Sequence, residues 1–119
     1  MYACMYAESG EVWVWGYGIL GLGPKVNQCP IPQRIPPTLL GQNELQPDTK
    51  VVQIQAGMSH LAAVTNKGDL FMWGHNRGGL LGLGHDKDQY FPLRVAVGAP
   101  VKKVTLGIDH TMALCRDPI

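Results

Sequence analysis

Gly16-Tyr17-Gly18-Ile19-Leu20-Gly21 has the spacing of a dinucleotide-binding fingerprint, and it follows an apolar stretch, Val12 to Trp15. In that motif the glycines let the backbone close on a pyrophosphate seated at a helix N-terminus. A helix is not expected here, because Gly23-Pro24 and the prolines at 30, 32, 36 and 37 oppose one. The acidic residue that should follow about 20 positions on is also missing. These glycines therefore read as turn and close-approach residues. The four histidines, His60, His75, His85 and His110, have carboxylates near them, among them Asp86, Asp88 and Asp109. Their spacing matches no metal-ligand set. Nor does any Ser-His-Asp or Cys-His arrangement emerge for nucleophilic catalysis. His60 and His110 each follow a Gly turn at a strand start, where an imidazole either bridges backbone groups of adjacent turns or contacts a partner; on the second reading His60, Asp109 and His110 are the candidate partner-binding residues, and no catalytic residue, cofactor or metal is expected.

The elements that must position these residues are short strands. Of the 119 residues, 45% are apolar, as in a globular chain, and 15 glycines and 9 prolines punctuate the sequence. That punctuation suits strands and turns and disfavours helix interiors. Val12 to Trp15 and Leu70 to Trp73 are β-branched or aromatic runs ending at glycine. Val51 to Gln55 partly alternates, and Leu61 to Thr65 is a short apolar run joined to the next strand through Asn66-Lys67-Gly68, a hairpin signal. Thr111 to Cys115 is a run of the same kind. The net charge of +1 gives no electrostatic case for nucleic acid or a membrane surface. Three widely spaced cysteines argue for a reducing compartment rather than a disulfide framework. No transmembrane segment or targeting sequence is visible.

The sequence repeats itself. Gly10-Glu11-Val12-Trp13-Val14-Trp15-Gly16 recurs as Gly68-Asp69-Leu70-Phe71-Met72-Trp73-Gly74, and Leu20-Gly21-Leu22-Gly23 recurs unchanged at Leu81 to Gly84. Pro32-Gln33-Arg34-Ile35 matches Pro92-Leu93-Arg94-Val95, Val51 to Gly57 matches Val101 to Gly107, and His60 matches His110. The offset falls from 60 at Pro32 and Pro92 to 50 at Val51 and Val101, so the first repeat carries an insertion of about ten residues near 36–50. Its Pro36-Pro37 and Pro47-Asp48 predict a loop, with one helical turn at Thr38 to Leu40. The boundaries read as the end of a preceding repeat over 1–9, repeat A over 10–67 with the insertion, and repeat B over 68–119. Two readings stand for Met1 to Ala7, a diverged strand or a false start. Equivalent placement makes Trp15 and Trp73 packing residues between repeat units, and makes Arg34 and Arg94 structural hydrogen-bonding residues in preference to RNA contacts.

Together, Gly-acid-aliphatic-aromatic-x-Trp-Gly, Leu-Gly-Leu-Gly, Pro-x-Arg-Ile/Val and Val-x-x-Ile/Val-x-x-Gly-x-x-His resemble the regulator of chromosome condensation repeat, over residues 8–117. The resemblance implies an all-β fold with antiparallel strands, about two blades of a seven-bladed β-propeller, and hence a piece of a longer protein. Ile35-Pro36-Pro37-Thr38-Leu39 and Asp88-Gln89-Tyr90-Phe91-Pro92 resemble a mitochondrial, guanine-nucleotide-exchanging branch of that family. That branch implies a matrix or inner-membrane-associated location and a binding module without catalytic chemistry of its own. Three functions are implied as rivals. One is nucleotide exchange on a mitochondrial dynamin-related fusion GTPase. The second is a scaffold for mitochondrial ribosomal RNA and ribosome-assembly proteins. The third is a protein-interaction propeller with neither activity. The family's histidines at this repeat position extend a role in exchange to His60 and His110, with Asp109-His110 the favoured turn.

Overall fold

The computed structural model describes residues 2–8, 10–57, 60–75, 87–95, 97, 99–106 and 111–115. Among the described residues nine strands run in chain order: β1 (Tyr2–Glu8), β2 (Glu11–Tyr17), β3 (Gln28–Arg34), β4 (Val51–Ala56), β5 (His60–Thr65), β6 (Leu70–Gly74), β7 (Gln89–Val95), β8 (Val101–Leu106) and β9 (Thr111–Cys115). A single 3₁₀ turn, Pro37–Leu40, interrupts the described residues. They form three antiparallel sheets in the orders β1-β2-β3, β4-β5-β6-β7 and β8-β9. Among the described residues no helix is long and apolar enough to cross a membrane, which says nothing of strand-built spans.

Repeat equivalence explains the strand counts. β1, β2 and β3 of the first sheet correspond to β5, β6 and β7 of the second, and β8 and β9 correspond to β4 and β5. The segment Tyr2–Glu8 is thus a strand, paired with β2 from Tyr2↔Tyr17 to Glu8↔Glu11. The four-stranded sheet spans 51–95 and crosses the point where the sequence repeat restarts at Gly68. Sheet and sequence repeat share a length but not a phase.

The core lies between sheets, not within one. Side chains alternate across a strand, and β5 and β6 divide theirs accordingly. Leu61, Ala63, Phe71 and Trp73 join Val12, Val14 and Leu20 of the first sheet in one cluster. Ala62, Val64, Leu70 and Met72 turn the other way and meet Val101 and Val104 of the third sheet. Both strands are therefore buried on both faces, and this is why Leu61 to Thr65 reads as an unbroken apolar run. The outer strands β3 and β7 are mostly exposed, and each carries prolines, Pro30 and Pro32 in one and Pro92 in the other. Proline lacks the N–H that would recruit a further strand.

The insertion folds onto the seam between the first two sheets. Pro36 and Pro37 fix its entry, the 3₁₀ turn buries Leu40, and Gly41 ends it at φ 93°. Gly41 lies against Phe71 of the second sheet, where an added Cβ would come within 3.4 Å of the ring. Asn43 Oδ1 accepts from the Leu45 and Gln46 amides at 2.8 and 2.9 Å, an Asx turn that carries the chain back.

Candidate functional site

Strand polarity gives the sheets two ends. At one, β4 meets β5 and β6 leads towards β7; it is called here the turn end. At the other, β5 meets β6 and each sheet hands the chain to the next; it is called the junction end.

The junction end is a structural device, built twice. Thr65, Asn66, Lys67, Gly68 and Asp69 make a tight hairpin in which Thr65 N donates to Asp69 O at 3.0 Å and Gly68 takes φ 83°. Left-handed backbone favours glycine, and this is the usual place for it in a three-residue hairpin loop. The next sheet then starts directly on that glycine: Val101 N donates to Gly68 O at 2.8 Å, and Val51 N donates to Gly10 O at 3.3 Å in the preceding repeat. A Cβ on Gly68 would fall 2.7 Å from Pro100 Cβ, and one on Gly10 would fall 2.7 Å from Lys50 Cβ. Backbone contact between sheets therefore requires glycine at both positions.

Three cations of this end are paired with carboxylates. Arg34 bonds Glu11 at 3.2 Å, and Arg94 bonds Asp69 through Nε at 3.1 Å and Nη2 at 3.0 Å. The two pairs occupy equivalent positions and tie the outer strand to its neighbour. Lys67 Nζ donates to Asp48 Oδ2 at 2.9 Å, and this bond holds the Asp48 carboxyl below its ordinary pKa. Asn66 completes the junction. Its Oδ1 accepts from Lys50 N at 2.9 Å, and its Nδ2 donates to Asp48 O at 3.1 Å.

The seam between the second and third sheets also carries a side-chain bridge. Gln53 on β4 donates Nε2 to Val104 O at 3.0 Å and accepts from Val104 N at 2.9 Å through Oε1. Its amide thereby takes the part of a neighbouring strand along the free edge of β8. Nothing in the sequence marks this residue, since its repeat equivalent is Lys103.

At the turn end, His60 opens β5 and is fully buried. Its ring lies over Gly57, where an added Cβ would approach Cε1 to 2.7 Å, while Gly57 N donates to His60 O at 2.8 Å. The structure thus places this imidazole beneath the β4–β5 turn rather than on its surface. Leu106 and Thr111 close the corresponding β8–β9 pair. Asp109 and His110, between them, lie outside the described residues, as does His85. His75 Nδ1 and Asp88 Oδ2 stand 3.2 Å apart and partly exposed. Tyr17 is exposed at the same end.

The glycine-rich segment makes no cofactor cradle. Gly16, Gly18 and Gly21 all adopt positive φ, and an irregular stretch leads from them to β3 with no helix. Gly21 instead covers the buried Trp73 of the next sheet, its added Cβ falling 2.8 Å from the indole Nε1. Gly23 N donates to Tyr90 O at 3.0 Å beside it.

Tandem Gly-hinged antiparallel sheets, each starting on the hairpin of the last, define a repeat-built β-propeller. The chain belongs to the regulator of chromosome condensation (RCC1) repeat family, whose repeat matches residues 9–64 and 67–114. Among relatives, it is 52% identical over 114 residues to the RCC1-like G exchanging factor-like protein of Mus musculus, covering 96% of this chain and 24% of that one. Among solved structures, it superposes on the crystal structure of human WBSCR16 with a TM-score of 0.93 and 46% identity, covering 97% of this chain and 29% of that one. It superposes on Prp20p of Saccharomyces cerevisiae with a TM-score of 0.74 and 26% identity, covering 95% of this chain and 28% of that one. That structure is described together with its binding to Gsp1p and histones. The chain spans about a quarter of the length of the curated relatives it matches and accounts for about two blades. Regulatory exchange factors and binding scaffolds are found in this family.

Proposed function

We propose that this chain is part of a propeller scaffold that promotes guanine-nucleotide exchange on a mitochondrial dynamin-related fusion GTPase. The observation that carries the reading is its 52% identity, across nearly its whole length, to a relative named as a G exchanging factor-like protein. The binding of Gsp1p by the Prp20p propeller, a more distant likeness, supports the same class of partner. Mitochondrial residence is part of the proposal and rests on the likeness to that exchanging branch.

Exchange needs no catalytic triad. A scaffold that binds the nucleotide-free GTPase more tightly than the loaded form shifts the equilibrium towards release. The turn end is the face we assign to it. Asp109 and His110 are the proposed contacts, and His60, buried behind its own turn, holds the equivalent loop in shape. The junction end is a poorer choice, because Arg34, Arg94 and Lys67 already pair with carboxylates of the chain. The same pairing takes Arg34, Arg94 and Lys67 out of the set of cations that a ribosomal-RNA scaffold would draw on for phosphate contact at this end.

The test is nucleotide release. The GTPase is loaded with fluorescent GDP, and the full-length parent protein is added as wild type or as Asp109→Ala/His110→Ala. Faster release with wild type and its loss in the variant is the expected result. No acceleration by wild type would discard exchange on that GTPase and return the choice to RNA scaffold or plain interaction propeller.

A further inference from the structure

The insertion between β3 and β4 has a packed part and a displayed part. Leu40 and Thr49 are buried, while residues 43–48 between them are exposed without interruption. In repeat B a connection about ten residues shorter joins the equivalent strands, so crossing a seam does not require this excursion. The excursion is nevertheless firmly built. Asn43 and Gln46 pair across its tip, with Gln46 N donating to Asn43 O at 3.1 Å and Asn43 N donating to Gln46 O at 3.5 Å. The Asx turn adds two bonds to the Asn43 side chain. Gln42 Nε2 donates to Pro47 O at 3.0 Å, and Thr49 N donates to Gln46 O at 3.3 Å. Bonds from Lys67 and Asn66 to Asp48 then tie the base of the tip to the β5–β6 hairpin.

Glu44 and Leu45 stand at the centre of that tip. A tight turn asks for glycine, asparagine or aspartate at its centre, and leucine meets no such demand. Leu45 is 93% exposed, the most exposed large apolar side chain among the described residues. Glu44 beside it is exposed and makes no ion pair with a described residue. We propose that the Glu44-Leu45 tip is a docking knob for a partner protein whose surface offers an apolar socket with a cation at its rim. A leucine held on a closed turn has already lost the backbone freedom that binding would otherwise cost, so its burial is expressed as affinity. The Glu44 carboxylate selects the cationic rim. It also opposes contact with an anionic lipid surface, which recruits cations, and so favours a protein over a membrane. The tip lies at the junction end, opposite the proposed exchange face, and stands independently of that reading.

The probe is the full-length parent protein with a diazirine-bearing amino acid at position 45, irradiated in an extract of the cells that make it. The adduct is mapped by mass spectrometry, and the protein it identifies is purified and titrated with unlabelled parent protein. The crosslink is expected in an apolar pocket with a lysine or arginine at its rim. Leu45→Asp should weaken binding by about tenfold or more, the equivalent of losing one buried leucine. Glu44→Lys should weaken it as well. Asn43→Ala, which opens the turn but keeps Leu45, should also lower the affinity, and Asn43→Asp, which keeps the acceptor, should restore it. Leu45 lies outside the core, so Leu45→Asp should leave the thermal midpoint and GDP release unchanged, which separates loss of docking from loss of fold or of exchange. Absence of an adduct, affinity indifferent to Leu45→Asp, or binding of the tip to phosphatidylcholine–cardiolipin vesicles in place of a protein would overturn it.

Discussion

At the scale of single residues, glycine and histidine have exchanged the roles their chemistry first suggests. Gly57 has an ordinary negative φ, so its small size answers to a neighbour and not to strain. That neighbour is the His60 ring, 2.7 Å from where a Cβ would sit. The ring is fully buried and cannot swing into solvent. Gly57→Ala should therefore destabilise by about 1–3 kcal/mol, the usual cost of overpacking a filled site. A lower urea midpoint at unchanged m-value in the full-length protein would register it. The sequence shows that His60 and His110 are equivalent, but equivalence alone is silent on which side of the turn an imidazole takes. Burial decides that, and it depends on residues brought in from β4 and β6.

Asp48 supplies a pH prediction. Its folded pKa lies below the reference value of 3.8, chiefly through the hydrogen bond from Lys67. The contribution of a depressed carboxyl is present above the unfolded pKa and fades as pH falls through the folded one. Because the carboxylate is solvent-exposed, the effect is small and screened by salt. In an NMR titration the Asp48 midpoint should lie below that of an ordinary aspartate. Lys67→Met should move it up, and an unmoved midpoint would show that the bond at 2.9 Å does not persist in solution.

At the scale of elements, the strands were legible because their signals are local: aromatic and β-branched runs ending at glycine, a hairpin at Asn66-Lys67-Gly68, two prolines opening a 3₁₀ turn. The Gln53 bridge was not, because it joins residues 51 positions apart and involves only the backbone of its partner. A side-chain amide is one of the few groups that can donate and accept in the same plane, as a strand does. Gln53→Leu keeps the bulk but leaves both Val104 groups without this partner, at an expected cost of about 1–3 kcal/mol. Hydrogen exchange at the Val104 amide should accelerate in that variant, with the β5–β6 amides changed far less. Equal acceleration across the second sheet would mean that Gln53 supports that sheet generally and is not specific to the seam.

At the scale of the molecule, the repeat gave the family and the strand inventory, while the phase of the sheets against the sequence repeat depended on which strands pair. That phase matters, because it makes every sheet depend on its neighbour. The first sheet's cluster is completed by Phe71 and Trp73, and the second's by Val101 and Val104. Stability in such arrays is carried by nearest-neighbour interfaces. A substitution at one seam should then be felt in the sheet beyond it. Gly21 tests this, since it belongs to the loop after β2 yet covers Trp73 on β6. Its φ of 89° penalises any side chain, and an added Cβ would meet the indole at 2.8 Å. Trp73 is fully buried, so it has no room to yield without opening the seam. Gly21→Ala should cost about 2–4 kcal/mol from backbone strain and overpacking together. Its signature should be faster hydrogen exchange at Phe71 to Trp73, in a sheet that contains no substitution. Exchange confined to residues 18–27 would instead mean that the sheets hold their own structure and merely lie side by side. In that case the Leu-Gly-Leu-Gly loop would be a cover on the propeller and not one of its joints.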